Sequence, residues 1–213
     1  MLLLYAVVQA DWTPPPTGGA AGLSMLSGPS VAVLYDERDE MPSTSREEVL
    51  GFGKVVTEVA QRGPALPVRF GTVVQTVEEL RGLLEERAED WDKRLSVVRG
   101  HVELLVHVVD EAAPAKTPAS RGSGRDYLLS RAGAHRHIEE LFQDLSSAVA
   151  AHCREVRRLP GSDELRVACL VPAGGVDDLR AALDTWAEHR EGLRSRTTGP
   201  WPPFSFTEED ELS

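Results

Sequence analysis

The run Leu66–Val74, LPVRFGTVV, limits the fold more than any other stretch of the chain. Leu66, Val68, Phe70, Thr72 and Val74 alternate with Pro67, Arg69, Gly71 and Val73. A side-chain period of two predicts a β-strand with one strongly apolar face. Pro67 has no amide hydrogen to give to a ladder, which sends it to the strand's start or to a sheet edge. Gly71 inside the pattern predicts a bulge or another backbone passing close by. Arg69 shares a face with Gly71 and calls for a carboxylate or carbonyl partner, such as a carbonyl of the tail, or for contact with another protein.

The stretches around this run supply its partners. Leu2–Ala10 is a continuous apolar run, which suits a strand covered on both faces and is too short and too poor in basic residues for a membrane span or a signal peptide. Asp11–Ser30 breaks all periodicity with Pro14–Pro16, Gly18, Gly19, Gly22 and Gly28-Pro29, and reads as a loop anchored by Trp12 and Leu23–Leu26. Val31–Tyr35 is a second strand. Thr44 with Glu47, and Ser45 with Glu48, have capping-box spacing, so a helix is expected to about Ala60 with Val49, Phe52, Val56 and Val59 on one face. Thr76 with Glu79 opens a longer helix whose stripe is Val77, Leu80, Leu84, Trp91, Leu95 and Val98.

Beyond Gly100, His101–Val109 reads as a strand, and Glu111–Gly124 as a flexible connection rich in alanine, proline, serine and glycine. A helical pattern runs from about Asp126 through Tyr127, Ile138, Leu141, Phe142, Leu145 and Val149. Strand Leu165–Val171, helix Val176–His189 and strand Leu193–Thr197 follow. The fold class expected is α+β, with an N-terminal α+β domain over 1–98, a second over 99–198 and a tail over 199–213 packing back on the body. If Arg154–Leu159 adds an edge strand, the second domain has the ferredoxin-like order β-α-β-β-α-β.

Composition narrows function mainly by exclusion. The formal net charge of −11 opposes tight binding to nucleic acid or to an anionic membrane surface. Cys153 and Cys169 form no CxxC pair or metal-spaced set and read as reduced thiols. His135 and His137 diverge by about 200° around their helix, and His101 and His107 stand roughly 20 Å apart along a strand, so neither pair predicts a shared metal. No nucleotide-binding, nucleophile-elbow or zinc-helix motif occurs, and no catalytic, cofactor or metal residue is assigned. The carboxylates lie mostly on helix exteriors and in the acidic end Glu208–Glu211. Gly199–Phe206, GPWPPFSF, joins proline-stiffened backbone to three large aromatic anchors. It reads as a strap sealing the core or as a recognition segment for another protein.

LPVRFGTVV followed by a long amphipathic helix, with GPWPPFSF near the far end, resembles the gas vesicle protein F / protein L family. LLLYAVVQA at the start, GHVELLV at Gly100–Val106 and YLLSR at Tyr127–Arg131 lie in the family's order. One departure is Phe52, which stands where the family often has a histidine, so a role tied to that histidine has no counterpart residue here. The resemblance implies a gas vesicle accessory or minor structural protein, cytoplasmic and associated with the vesicle. Its implied partners are the hydrophobic major gas vesicle shell protein, whose premature aggregation it would prevent, and other accessory proteins. It implies no nucleic acid, no membrane, no cofactor and no enzyme activity. Residues assigned to partner binding or to the structural motif are Pro67, Arg69, Phe70, Gly71, Gly199, Pro200, Trp201, Pro202, Pro203 and Phe204. The alternative from a different class is a small ferredoxin-like enzyme or a small-molecule-binding module, recognisable by a deep pocket with converging polar groups.

Overall fold

The computed structural model describes residues 1–110, 124–160, 164–190 and 192–207. The expected connection at Glu111–Gly124 and the acidic end at Glu208–Glu211 therefore lie, apart from Gly124 itself, outside the described residues. The fold is α+β with antiparallel pairing. Contacts group the chain into two compact units: Met1–Val102 with the segment that begins at Trp201, and Glu103–Pro200.

The first unit holds strands β1 (Leu2–Gln9), β2 (Ser24–Ser27), β3 (Val31–Glu37), β4 (Ala65–Pro67) and β5 (Val73–Val74), with helices α1 (Arg46–Ala60) and α2 (Val77–Val98). The strands lie in the order β2-β3-β1-β4, and β5 also pairs with β1. Every side chain from Leu2 to Val8 is buried, which explains the unbroken apolar run: both faces of β1 are covered. Leu3, Tyr5, Ala6 and Val8 pack in clusters with Phe52, Val56 and Val59 of α1. Helix α2 touches β1, β3, β4 and β5 and buries Leu80, Leu84, Leu95 and Val98. Each such side chain, fully removed from water, contributes about 1.5–3 kcal/mol.

Both helices begin where their sequences say they should. Ser45 Oγ accepts from the Glu48 amide at 3.3 Å, and Thr76 Oγ1 from the Glu79 amide at 3.1 Å. The Glu79 carboxylate accepts from the Gln75 amide at 2.7 Å, one residue ahead of the usual capping-box partner. Two expectations need correction. Val49 does not join the buried face of α1 but is 42% exposed. The stretch Asp11–Ser30 is not one irregular loop. It contains a 3-10 turn at Gly19–Gly22 and the strand β2, which forms a hairpin with β3 closed by the Gly28 amide donating to the Val31 carbonyl at 2.8 Å. Trp12, Ala20 and Leu23 anchor this region, and Glu58 of α1 accepts from the Ala20 amide at 3.0 Å.

The second unit takes in β6 (His101–Asp110) from Glu103 on, α3 (Gly124–Val149), β7 (Glu155–Arg158), β8 (Leu165–Pro172), α4 (Val176–Glu188) and β9 (Leu193–Trp201) up to Pro200, in sheet order β7-β8-β6-β9. Ile138, Leu145 and Val149 of α3 and Leu179, Leu183 and Trp186 of α4 close on Leu104, Val106, Val167 and Cys169 of the sheet. Asp144 ties the two helices together. It accepts from Trp186 Nε1 at 3.2 Å and from the Arg190 guanidinium, which also lies over the Trp186 ring at 4.9 Å. Cys153 and Cys169 meet thiol to thiol. That contact, with burial, pushes Cys169 well above the ordinary thiol range, while its hydrogen bond to Cys153 brings the latter down.

Candidate functional site

The LPVRFGTVV run is not one strand. It starts as β4 and finishes as β5, and between them the chain leaves the sheet. The Thr72 amide donates to the Arg69 carbonyl at 3.1 Å, and Gly71 at the third turn position has φ +86°. These are the marks of a type II turn, whose third position favours glycine. Pairing measures the extrusion. Ala6 faces Pro67 and Leu3 faces Val73, so β1 advances three residues while the motif advances six. A Cβ at Gly71 would meet no atom within 4 Å, so glycine is required there by its backbone angle and not by a close neighbour.

The same level of β1 is irregular on its other side. Leu4 faces Tyr35 and Ala6 faces Leu34, which leaves Tyr5 as a one-residue bulge against β3. The Tyr5 carbonyl accepts from the Val68 amide at 2.9 Å, and the Leu4 amide donates to the Thr72 carbonyl at 3.0 Å. Three rings fill the space beside these irregularities. Tyr5 and Phe52 stack with centroids 4.7 Å apart, and Phe70 from the turn meets Phe52 edge-on at 5.2 Å. Such pairs contribute about 0.5–1.5 kcal/mol each beyond the area they bury. The departure at Phe52 thus sits at the centre of the cluster that docks the turn. Arg38 closes the rim, donating to Asp36 at 2.8 Å and to the Tyr5 hydroxyl at 3.4 Å. The Asp36 hydrogen bond outweighs the cost of burial and holds the Arg38 guanidinium above its ordinary value.

Of the motif residues, Pro67 is buried as the last residue of β4 and Phe70 is half-buried. Arg69 is exposed, and its side chain makes no hydrogen bond or ion pair with a described residue. The tail carbonyl that Arg69 was expected to meet is held by another arginine. Arg94 of α2 is only 8% exposed, and its Nε donates to the Phe206 carbonyl. A signal for this was present. Trp91, Arg94, Leu95 and Val98 are spaced as one helical stripe, and an arginine inside an apolar stripe needs an acceptor.

The GPWPPFSF segment divides at Pro200. Gly199, with φ +116°, precedes a cis peptide to Pro200, and its carbonyl accepts from Arg180 of α4 at 3.0 Å, within the second unit. From Trp201 onward the segment belongs to the first unit, where a 3-10 turn at Phe204–Phe206 packs against β4. Pro202, Pro203 and Phe206 are buried, Phe206 completely. Trp201 and Phe204 are 45% and 41% exposed. The first unit therefore brings β4 of the LPVRFGTVV run against the end of GPWPPFSF and leaves Arg69, Trp201 and Phe204 at its surface.

A shallow open hollow of about 460 Å³ runs along α3, lined by Arg136, Glu139, Glu140, Gln143, Asp144 and Ser147. Two of its three carboxylates already have partners: Glu139 receives Gln143 and Arg158, and Asp144 receives Trp186 and Arg190. The Gln143 hydrogen bond, helped by Arg158, holds Glu139 below the usual carboxylate range. Among the described residues no group of three His, Cys, Asp or Glu side chains is placed to hold a metal ion, and no helix is long and apolar enough to cross a membrane.

Comparison with known proteins matches residues 1–208 to the family model described as gas vesicle synthesis protein GvpL/GvpF. The chain is 25% identical to gas vesicle protein F of Streptomyces sp. (strain CB03234) over 84% of this chain and 85% of that protein. It is 29% identical to gas vesicle protein L of the same strain over 82% and 77%. In fold it is similar to the crystal structure of GvpF from Anabaena sp. PCC7120, with a TM-score of 0.75 at 19% identity over 98% of this chain and 96% of the other. The crystal structure of GvpF from Microcystis aeruginosa gives 0.72 at 18% identity over 98% and 99%.

Proposed function

The chain belongs to the gas vesicle synthesis protein GvpL/GvpF family, and from that premise we propose that it binds the hydrophobic major shell subunit during gas vesicle formation and delays its aggregation. The observation that supports this reading is the tail. Trp201 and Phe204 stand exposed on a segment held by buried Pro202, Pro203 and Phe206 and by the Arg94 hydrogen bond. Large rings on stiff backbone lose little entropy on docking, so they suit capture of an apolar partner. Arg69 and the turn at Phe70–Gly71 border the same strand β4 and belong to the proposed contact surface. The net charge of −11 keeps the carrier itself soluble. The role contains no catalytic step and no cofactor, and it is exercised in the cytoplasm and at the growing vesicle beside other gas vesicle proteins.

The test is light scattering from the major shell subunit diluted out of denaturant, with and without the purified protein. The expected outcome is a longer lag with the wild type and a lag shortened toward that of the subunit alone with Trp201→Ala/Phe204→Ala. No change in lag with the wild type, together with no binding by ultracentrifugation, overturns the proposal.

A further inference from the structure

Among the described strands the two sheets end at β2, at β4 with the two-residue β5, at β7 and at β9, and all but β2 carry features that stop a further strand from adding. β7 presents Glu155, Arg157 and Arg158; β9 presents Arg194, Arg196 and Pro200; β4 is three residues long and ends at Pro67. Charges, prolines and short length are the usual means of blunting an edge. β2, at the remaining edge, is Ser24-Met25-Leu26-Ser27, with neither charge nor proline in the strand.

The neutrality extends beyond the strand. From Trp12 to Tyr35 the chain contains no Asp, Glu, Lys, Arg or His, although 27% of all residues are Asp, Glu, Lys or Arg. Register identifies the groups left at the edge. Gly28 and Val31 form a hydrogen-bonded pair, so Leu26–Val33 and Ser24–Tyr35 are bonded pairs as well. The amides and carbonyls of Met25 and Ser27 therefore point away from β3. No described strand pairs with β2 on that side, and Met25 is 40% exposed.

We propose that β2 is a docking edge that takes up an extended, uncharged, apolar strand of the partner protein by main-chain pairing at Met25 and Ser27. Resting on the proposed function, the strand belongs to the major shell subunit. The neutral edge is matched to a strand that brings no charge, because a charge of either sign would be desolvated beside β2 with no countercharge there, and an acidic one would also meet the field of a chain of net charge −11. That same net charge disfavours a second copy of this chain, which would bring its own −11 to the contact. Specificity in strand addition comes from alternate side chains and affinity from the main chain.

Hydrogen exchange on the full chain, alone and with the major shell subunit fused to a soluble carrier, tests this together with two variants. Protection of the Met25 and Ser27 amides is expected only when the subunit is present. Ser27→Pro removes one outward amide and leaves the β2–β3 bonds in place, so binding should weaken about tenfold. Met25→Ser keeps the main chain and should bind within about threefold of wild type. Wild-type binding with Met25 and Ser27 still exchanging freely overturns the docking edge and leaves the proposed function standing. No binding by the wild type overturns both. Protection that grows with protein concentration in the absence of the subunit assigns the edge to a second copy and overturns the proposal.

Discussion

At one end of the first unit's sheet, β4 carries Pro67, an extruded turn and a tail packed against it. At the other end, β2 offers Ser24, Met25, Leu26 and Ser27 with nothing to stop a further strand. Both strands are short and both flank the same buried pair, β3 and β1. The difference lies in what each edge gives up. β4 exchanges ladder length for a docked turn and a docked tail, and so displays side chains: Arg69, Trp201 and Phe204. β2 keeps a plain ladder and displays backbone. A protein meant only to stay monomeric would blunt both. Here one edge presents aromatic side chains and the other presents main-chain donors and acceptors.

The largest test of this contrast is at Phe206. Its side chain is fully buried and its carbonyl is tied to Arg94. Phe206→Ala should cost about 3–5 kcal/mol of first-unit stability, as for other large-to-small changes of buried phenylalanines. Urea denaturation measures the loss, and hydrogen exchange should show β4 amides loosened while β2–β3 amides keep their order of protection. A loss below about 1 kcal/mol would mean that the tail does not hold the β4 edge.

Gly71→Ala comes next. The left-handed angle of Gly71 costs a residue with a Cβ about 1–2 kcal/mol, and the open space around it offers no compensating contact. Because the turn docks Phe70 on Phe52, the same change should shift the aromatic signals of Tyr5, Phe52 and Phe70 in an NMR spectrum and leave those of Trp186 in place. A variant as stable as wild type would show that the turn has no fixed conformation to lose.

Much of this was legible in the chain, and the failures have physical causes. The unbroken apolar run at Leu2–Val8 announced a strand covered on both faces, because no solvent-facing position interrupts it. Thr76 marked one helix start to the residue, while Thr44 and Ser45 left the other open between two positions, of which Ser45 is the cap. The extruded turn was hidden because alternation records which side chains are apolar, not whether the backbone between them stays paired. Leu66, Val68, Phe70, Thr72 and Val74 keep their period straight through a turn, with Gly71 as the one local sign. β2 was hidden for the opposite reason. Ser-Met-Leu-Ser has no β-branched residue and no clear alternation, and it is a strand because the Gly28-Pro29-Ser30 turn lays it beside β3. Arg94 was readable from its place in the α2 stripe. Its acceptor was not, since Phe206 lies far along the chain and only the fold brings them together.

The smallest expected effect is at the β2 edge itself, and it sharpens the comparison because it separates stability from binding. Met25 is 40% exposed, and its outward backbone contributes nothing to the β2–β3 ladder. Met25→Lys should therefore change the free energy of unfolding by no more than about 0.5 kcal/mol, the usual range for an exposed position without special backbone geometry. The introduced ammonium would stand beside an incoming strand and require either desolvation or a countercharge, the device by which natural edges refuse pairing. Unfolding in urea should thus be unchanged while shell-subunit binding is lost, the reverse of the Phe206→Ala pattern, in which stability falls first. If Met25→Lys instead destabilised the unit as much as Gly71→Ala, β2 would be a structural strand whose exposed face serves the fold, and the contrast between the two edges would collapse into a single requirement for folding.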